Sequence, residues 1–255
     1  MKKFLSILFL FFIILSITFN THATNEISWY FKKSNEHKQP ELDKSQEFIN
    51  KYNCNFLDYS HDDNNPEKVI YLTFDAGYEN GNIDVILDIL KEKNVTGAFF
   101  ILGHLIDSAP SLVKRMSDEG HLVCNHTYSH KDMSKVTDKS EFMAELYKLE
   151  VAYNEKTGKE MSKFFRPPEG KLSEENLQLL TQNGYKTVLW SFAYADWDNS
   201  KQLSPETALK KLLNGTHNGE ILLLHPTSKT NTLILGEFID TLKSNGYRFG
   251  SLNEL

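Results

Sequence analysis

The sequence predicts an α/β fold on a parallel sheet, drawn as a distorted (β/α)7 barrel with an open doubly wound sheet as the alternative. Three observations lead there. Short runs of β-branched, aromatic or aliphatic residues recur from Val69 to Phe249. The segments between them space their apolar residues at helical intervals, and strands alternating with helices build a parallel sheet. Five polar clusters sit just past the ends of such runs, where loops converge into sites in folds of this kind.

The elements follow in order. Val69 to Phe74 reads as a strand ending at Asp75. Asn82 is placed to cap a helix with Ile83, Ile86, Leu87 and Leu90 on one face. Val95 to Leu102 is a strand with an internal Gly97. Ser108, with Pro110 in the first turn and Gly120 past the end, brackets a second helix. His121 to Cys124 is the next strand. A long helix from about Asp138 to Lys156 carries Phe142, Leu146, Leu149 and Tyr153 on one face, closed by Gly158. After the strand Lys163 to Phe165, Ser173 opens a helix that Gly184 ends. Thr187 to Phe192 is a single strand by this reading, and Ser204-Pro205 starts the next helix. Ile221 to Leu224 is a strand, Thr232 to Lys243 the last helix, and Tyr247 to Phe249 the last strand.

Ahead of this alternation lie two other segments. Lys2-Lys3, the sixteen apolar or small residues Phe4 to Phe19, and Thr21-His-Ala23 read as a signal peptide over residues 1–23. The apolar stretch is short for a membrane span, which needs about 20 residues, so export with cleavage is expected and an uncleaved anchor is the alternative. Residues 24–66 are polar and aromatic by turns, with little periodicity, and are expected to form an extended arm wrapping the domain at 67–255. Removing the signal takes two lysines and no acids, so the formal charge falls from −6 to −8. An acidic chain without basic runs argues against a nucleic-acid or anionic-membrane partner. A monomer is expected. Cys54 and Cys124 are expected to be free buried thiols, a disulfide between them being the alternative.

The clusters carry chemistry. His126-Thr-Tyr-Ser-His130 spaces two imidazoles so that a helical turn would aim both at one Zn²⁺, although an isolated pair of this spacing is more often a solvated loop. Asp75 is either a turn cap or the base that takes a proton from metal-bound water. Arg166-Pro-Pro-Glu-Gly170 is a rigid turn, on the surface or with its arginine paired to Asp75. His225 ends a buried strand, where a satisfied core histidine is the ordinary reading. Paired with Asp196 it becomes a protonated general acid. Trp197 suits either a sugar face or the core.

In order along the chain stand Thr73-Phe-Asp-Ala-Gly77, His126-Thr-Tyr-Ser-His130, Arg166-Pro-Pro-Glu-Gly170, Asp196-Trp197 and Leu223-Leu-His225. From about Lys68 to Leu255 the chain thus resembles the polysaccharide deacetylases with a NodB homology domain, carbohydrate esterase family four. Thr73 to Gly81 and Ser28-Trp-Tyr-Phe31 look most like the subgroup that deacetylates muramic acid in spore peptidoglycan and leads to muramic δ-lactam. The resemblance implies a single NodB-type domain and a divalent metal, zinc, held by His126 and His130. It makes Asp75 the base, Arg166 its partner, His225 the acid and Asp196 the residue that tunes it. Tyr78, Pro167, Trp197 and Leu223 would line the substrate pocket, with a peptidoglycan strand as partner. The family's usual third metal ligand is Ala76 here, which cannot ligate, so weaker metal binding is expected. A deacetylase of another N-acetylated glycan, such as N-acetylglucosamine or a chitooligosaccharide, and an inactive wall-binding relative are the alternatives. Of the sequons at Asn94, Asn125 and Asn214, that at Asn125 adjoins a proposed ligand, which fits bacterial export better than glycosylation.

Overall fold

The computed structural model describes residues 26–33 and 36–255; the signal segment expected at 1–23 lies outside them. The strands are β1 (Glu26–Ser28), β2 (Cys54–Asn55), β3 (Lys68–Ala76), β4 (Ala98–Ile101), β5 (Leu122–Asn125), β6 (Ser162–Phe165), β7 (Lys171–Ser173), β8 (Lys186–Val188), β9 (Phe192–Ala193), β10 (Glu220–Leu224) and β11 (Tyr247–Phe249). The helices are α1 (Ile83–Glu92), α2 (Gly103–Ser108), α3 (Pro110–Asp118), α4 (Lys139–Thr157), α5 (Glu174–Gln182), α6 (Pro205–Gly215) and α7 (Lys229–Ser244). None among the described residues is long and apolar enough to cross a membrane.

One curled parallel sheet has the order β2-β8-β6-β5-β4-β3-β10-β9, with β11 also beside β3. This is the distorted barrel that the alternation predicts. The expected strand Thr187 to Phe192 divides. Its first half pairs with β6 and β2, its second with β10. Residues 189–191 therefore span the seam between the two flanks: Leu189 N–H donates to Asn55 C=O at 2.8 Å and Ser191 N–H to Ile221 C=O at 3.0 Å. Which neighbour a strand meets is invisible in its own residues, so one apolar run reads as one strand.

Alternation along β3 sorts the core into two layers, because successive side chains of a strand point to opposite faces. Val69 and Tyr71 face inward with Phe100, Cys124 and Ile221. Ile70, Leu72, Phe74 and Ala76 face outward and pack with Ile83, Ile86, Leu87 and Leu90 of α1 and with Leu235, Phe238 and Ile239 of α7. Burying each such side chain is worth about 1.5–3 kcal/mol.

The helix boundaries match the expected caps except in three places. Asp138, Ser173 and Ser204 cap α4, α5 and α6 through their side chains, and Gly158 ends α4 with φ +70°. Asn82 precedes α1 but makes no side-chain cap; its Nδ2 donates to Thr227 C=O at 2.9 Å instead. Ser108 closes the short α2, and Ala109 precedes α3 with Pro110 in its first turn. Helix α7 begins a turn earlier than its apolar spacing shows, capped by Ser228, because its first turn is polar yet buried.

Residues ahead of β3 pack on one flank. Strand β1 runs antiparallel to β7, a 3-10 segment covers Lys44–Lys51, and β2 extends the sheet beside β8. Trp29, Phe48, Ile49, Phe56 and Leu57 form a satellite core with Leu172, Leu177 and Leu189. The chain is tight where this segment crosses below β10: a Cβ on Gly219, at φ +69°, would lie 2.3 Å from the Asp58 carbonyl oxygen. Cys54 and Cys124 are both buried and free.

Candidate active site

The sheet register levels the strand ends. Asp75 pairs with Phe100, Ile101 with Asn125, Asn125 with Phe165, and Phe74 with Leu224. Asp75, His126, Arg166 and His225 stand at or directly past that rim, and Asp196 lies farther on, in the loop after β9. A cavity of about 840 Å³ opens there, lined by Asp75, Tyr78, His126, His130, Trp197, Leu223 and His225, with Glu169, Trp190, Tyr194 and Thr227 among its other walls.

Arg166 is a core residue, not a surface turn. It is fully buried and reaches across the inside of the curled sheet. Its NH1 donates to Asp75 Oδ1 at 2.8 Å, NH2 to Thr73 Oγ1 at 2.9 Å and Leu189 C=O at 3.2 Å, and Nε to Val188 C=O at 3.0 Å. The guanidinium carbon lies 4.1 Å from the centre of the Phe100 ring. A charge this deep is tolerated only when paired and hydrogen-bonded. Burial opposes ionisation of Asp75, but His126, Arg166 and His225 outweigh it and hold the carboxyl below its ordinary range. Of the three, only Arg166 carries a permanent charge.

The two histidines of the 126–130 segment meet, though by a different route from the helical turn expected. The segment is not helical: Thr127 (φ +71°) and His130 (φ +57°) are both left-handed, a conformation that costs a non-glycine residue about 1–3 kcal/mol and clusters at functional sites. Two short bonds hold it. Asn125 Oδ1 accepts from Thr127 N–H at 2.9 Å, and Thr127 Oγ1 accepts from His130 N–H at 3.0 Å. The ring centres are 5.1 Å apart. His126 Nδ1 faces the Arg166 carbonyl at 2.8 Å, and its Nε2 lies 3.6 Å from Asp75 Oδ2. Burial lowers its pKa to about 4 despite Asp75, so at neutral pH the ring donates from Nδ1 and turns an Nε2 lone pair toward the cavity.

That donor set suits a divalent metal. A neutral imidazole whose far nitrogen is fixed by a carbonyl is the usual form of a metal-ligating histidine, and His130 supplies a second ring. No group of three His, Cys, Asp or Glu side chains suited to a metal occurs among the described residues. Ala76 packs in the outer apolar layer, behind the strand from Asp75.

Beside Asp75 and its partners, past the end of the neighbouring strand β10, stands a second pair. Asp196 is fully buried. Its Oδ1 accepts from His225 Nδ1 at 2.7 Å, and its Oδ2 accepts from the His225 backbone N–H at 2.8 Å and from Asn231 Nδ2 at 2.7 Å. Burial lowers the His225 pKa, but the hydrogen bond and charge of Asp196, with Asp75 beyond, reverse this and raise it. The ring therefore holds its proton at pH values where an ordinary histidine loses it.

Trp197 is 61% exposed, its ring centre 6.3 Å from that of His225, and Tyr78 is 58% exposed against His104. Leu223 lines the floor. Pro167 does not join them: it is buried, and its C=O accepts from Gly170 N–H at 3.0 Å. Glu169, held at φ +56°, takes the cavity side of that turn. Sequence reasoning also misses Trp190, Tyr194 and Asn231. Nothing in a lone aromatic or amide marks it, and only the turn at 189–191 or the early start of α7 would have pointed to them.

With the geometry established, comparison places it. The polysaccharide deacetylase family model matches residues 62–188. The peptidoglycan-N-acetylmuramic acid deacetylase PdaA of Bacillus subtilis is 40% identical over 90% of this chain and 85% of its own. This chain belongs to the polysaccharide deacetylase family. The solved structure of B. subtilis PdaA, described as a family 4 carbohydrate esterase, superposes with a TM-score of 0.84 at 39% identity, covering 91% of this chain and 97% of that one. A peptidoglycan-N-acetylglucosamine deacetylase of Bacillus cereus is 35% identical over 72% of this chain and 66% of its own. Within the family fold, the residues around Asp75 and His225 form two anchored pairs at the ends of the neighbouring strands β3 and β10, lining one cavity.

Proposed function

We propose that this polysaccharide deacetylase removes acetyl groups from N-acetylmuramic acid in peptidoglycan outside the cytoplasm, and that the freed amine goes on to the muramic δ-lactam of the spore cortex. One observation carries the chemistry: Asp75 anchored by Arg166 and His225 anchored by Asp196 line the same cavity. The choice of sugar is supported by the similarity to PdaA of B. subtilis. Export is supported by the signal-like residues 1–23, and the acidic charge agrees with a glycan partner in place of nucleic acid.

The roles follow from the atoms. Asp75, kept ionised, takes a proton from the water that attacks the acetamide carbonyl. Arg166 fixes its orientation and spares the charge from burial alone. His225 donates from Nδ1 to Asp196, so its acidic proton sits on Nε2 and faces the cavity. That proton goes to the amide nitrogen as the C–N bond breaks, leaving the sugar amine and acetate. Trp197 and Tyr78 offer faces to sugar rings, and Leu223 packs against the acetyl methyl. His126 and His130 would hold a divalent metal, zinc by ligand type, which when bound supplies Lewis-acid polarisation and a lowered water pKa. With alanine at position 76 the affinity should fall below that of a three-ligand relative. Zinc titration by calorimetry tests this, and no binding together with full activity after chelation would remove the metal from the reaction.

The substrate is tested by incubating purified enzyme with peptidoglycan strands, with and without stem peptides, and finding deacetylated muramic acid by mass spectrometry. Deacetylation confined to glucosamine would overturn the assignment.

A further inference from the structure

Asp196 is a buried carboxylate whose only ion-pair partner among the described residues is His225. Its second oxygen is held in part by Asn231, a residue that no motif marks. Asn231 is 1% exposed and stands in the first turn of α7. Its Nδ2 donates to Asp196 Oδ2 at 2.7 Å and to the His225 carbonyl at 3.1 Å. Its Oδ1 accepts from the hydroxyl of Tyr194, itself buried on the cavity wall. The backbone of Asn231 is tied as well, its N–H donating to the α7 cap Ser228 at 3.2 Å.

The direction of this chain matters. A side-chain amide can face a carboxylate with its donor or, turned over, with its acceptor, and the second arrangement repels. The Tyr194 hydroxyl supplies a donor to the amide oxygen and so keeps the NH₂ toward Asp196. With Asn231 and the His225 backbone N–H both on Oδ2, Oδ1 is left to the imidazole Nδ1–H. The ring is then fixed in one tautomer and one orientation, as a base or acid is oriented by a third group.

We propose that Asn231, oriented by Tyr194, is a positioning residue for the acid His225, acting on it only through Asp196. This rests on the reading of His225 as the acid, and the experiment separates the two. Asn231→Ala and Tyr194→Phe are made in the full-length enzyme, alone and in an Asp196→Ala background, with kcat and KM measured on deacetylated product. The hydrogen-bonded Nδ1–H resonance of His225 is followed by NMR in histidine-labelled protein.

Removing the outer partner of an oriented group costs about 10- to 100-fold by the example of ligand-orienting shells. Asn231→Ala is expected to lower kcat by about that factor with KM within twofold, and to shift or abolish the His225 resonance. Tyr194→Phe is expected to do the same to a lesser degree. In the Asp196→Ala background neither is expected to lower kcat further, because additivity fails for residues that act as one unit. A full extra loss in that background would show a general structural role and overturn the proposal. So would an unchanged kcat and resonance in the single variants. If Asn231→Ala does not fold, Tyr194→Phe carries the test by the same criteria. His225→Ala is the control for the underlying reading: near-native turnover there removes the acid role itself, whereas a dead His225→Ala beside an unaffected Asn231→Ala removes the positioning role alone.

Discussion

The two anchored pairs at the cavity solve one problem in opposite ways. Each holds a carboxylate at the end of a strand or in the loop beyond it, and each carboxylate is nearly or wholly out of water. Asp75 is paired with an arginine that never loses its charge, so it stays ionised. Asp196 is paired with a histidine that can lose its proton, so its charge is spent on holding that proton. In the proposed function, the first arrangement serves a base and the second an acid. Identical chemical groups take different roles because their partners differ in what pH does to them.

Breaking the base or the acid should have the largest effect. Asp75→Asn and His225→Ala are each expected to lower kcat by about 10²–10⁴, the range for general acid–base catalysis, measured as acetate release by purified protein. Arg166→Met comes next and strikes stability as well. It strands a buried carboxylate, a loss of about 3–5 kcal/mol when one partner of a buried pair is removed, read from denaturant unfolding. With Asp75 as the proposed base, activity needs it ionised, and Arg166 helps keep its pKa down, so any residual activity should lose its acid limb at higher pH than in the native enzyme. A native midpoint and an unmoved acid limb would refute the pairing.

Asp196→Asn sharpens the other pair. With His225 as the proposed acid, activity needs it protonated, and Asp196 raises its pKa, so the alkaline limb of kcat/KM should move to lower pH while the acid limb stays. A change confined to the acid limb would show the roles of the two pairs to be assigned the wrong way round. The smallest effect is expected from Trp197→Ala. An aromatic contact is worth about 0.5–1.5 kcal/mol, so KM should rise about two- to tenfold with kcat little changed. A fall in kcat alone would place the indole in the reaction and not in binding.

Much of this was legible along the chain, and the reason is local. Helix caps at Asp138, Ser173 and Ser204, the left-handed Gly158, and the apolar faces of α1 and α4 depend on residues within a few positions of one another. Strand-end polar clusters are legible too, because a rim residue follows its apolar run directly. Arg166 shows the limit. The two-proline turn leaves a surface arginine and one paired with Asp75 both open, and the structure buries it, the bulkiest fully buried side chain among the described residues. The partners that permit this, Thr73, Asp75, Val188 and Leu189, belong to other strands.

By itself, then, the sequence determined the alternation of strands and helices, most of the helix caps, and the residue types gathered at the rim, since periodicity and capping act over one or two turns of chain. Only the tertiary structure decided that the run at 187–192 would divide across a seam, that the two imidazoles would meet through left-handed residues, that Pro167 would turn away and Glu169 toward the cavity, and that Asn231 would stand behind Asp196. Those outcomes turn on contacts between segments distant in the chain, where burial and hydrogen-bond pairing act on whichever groups the closing sheet brings within about 3 Å.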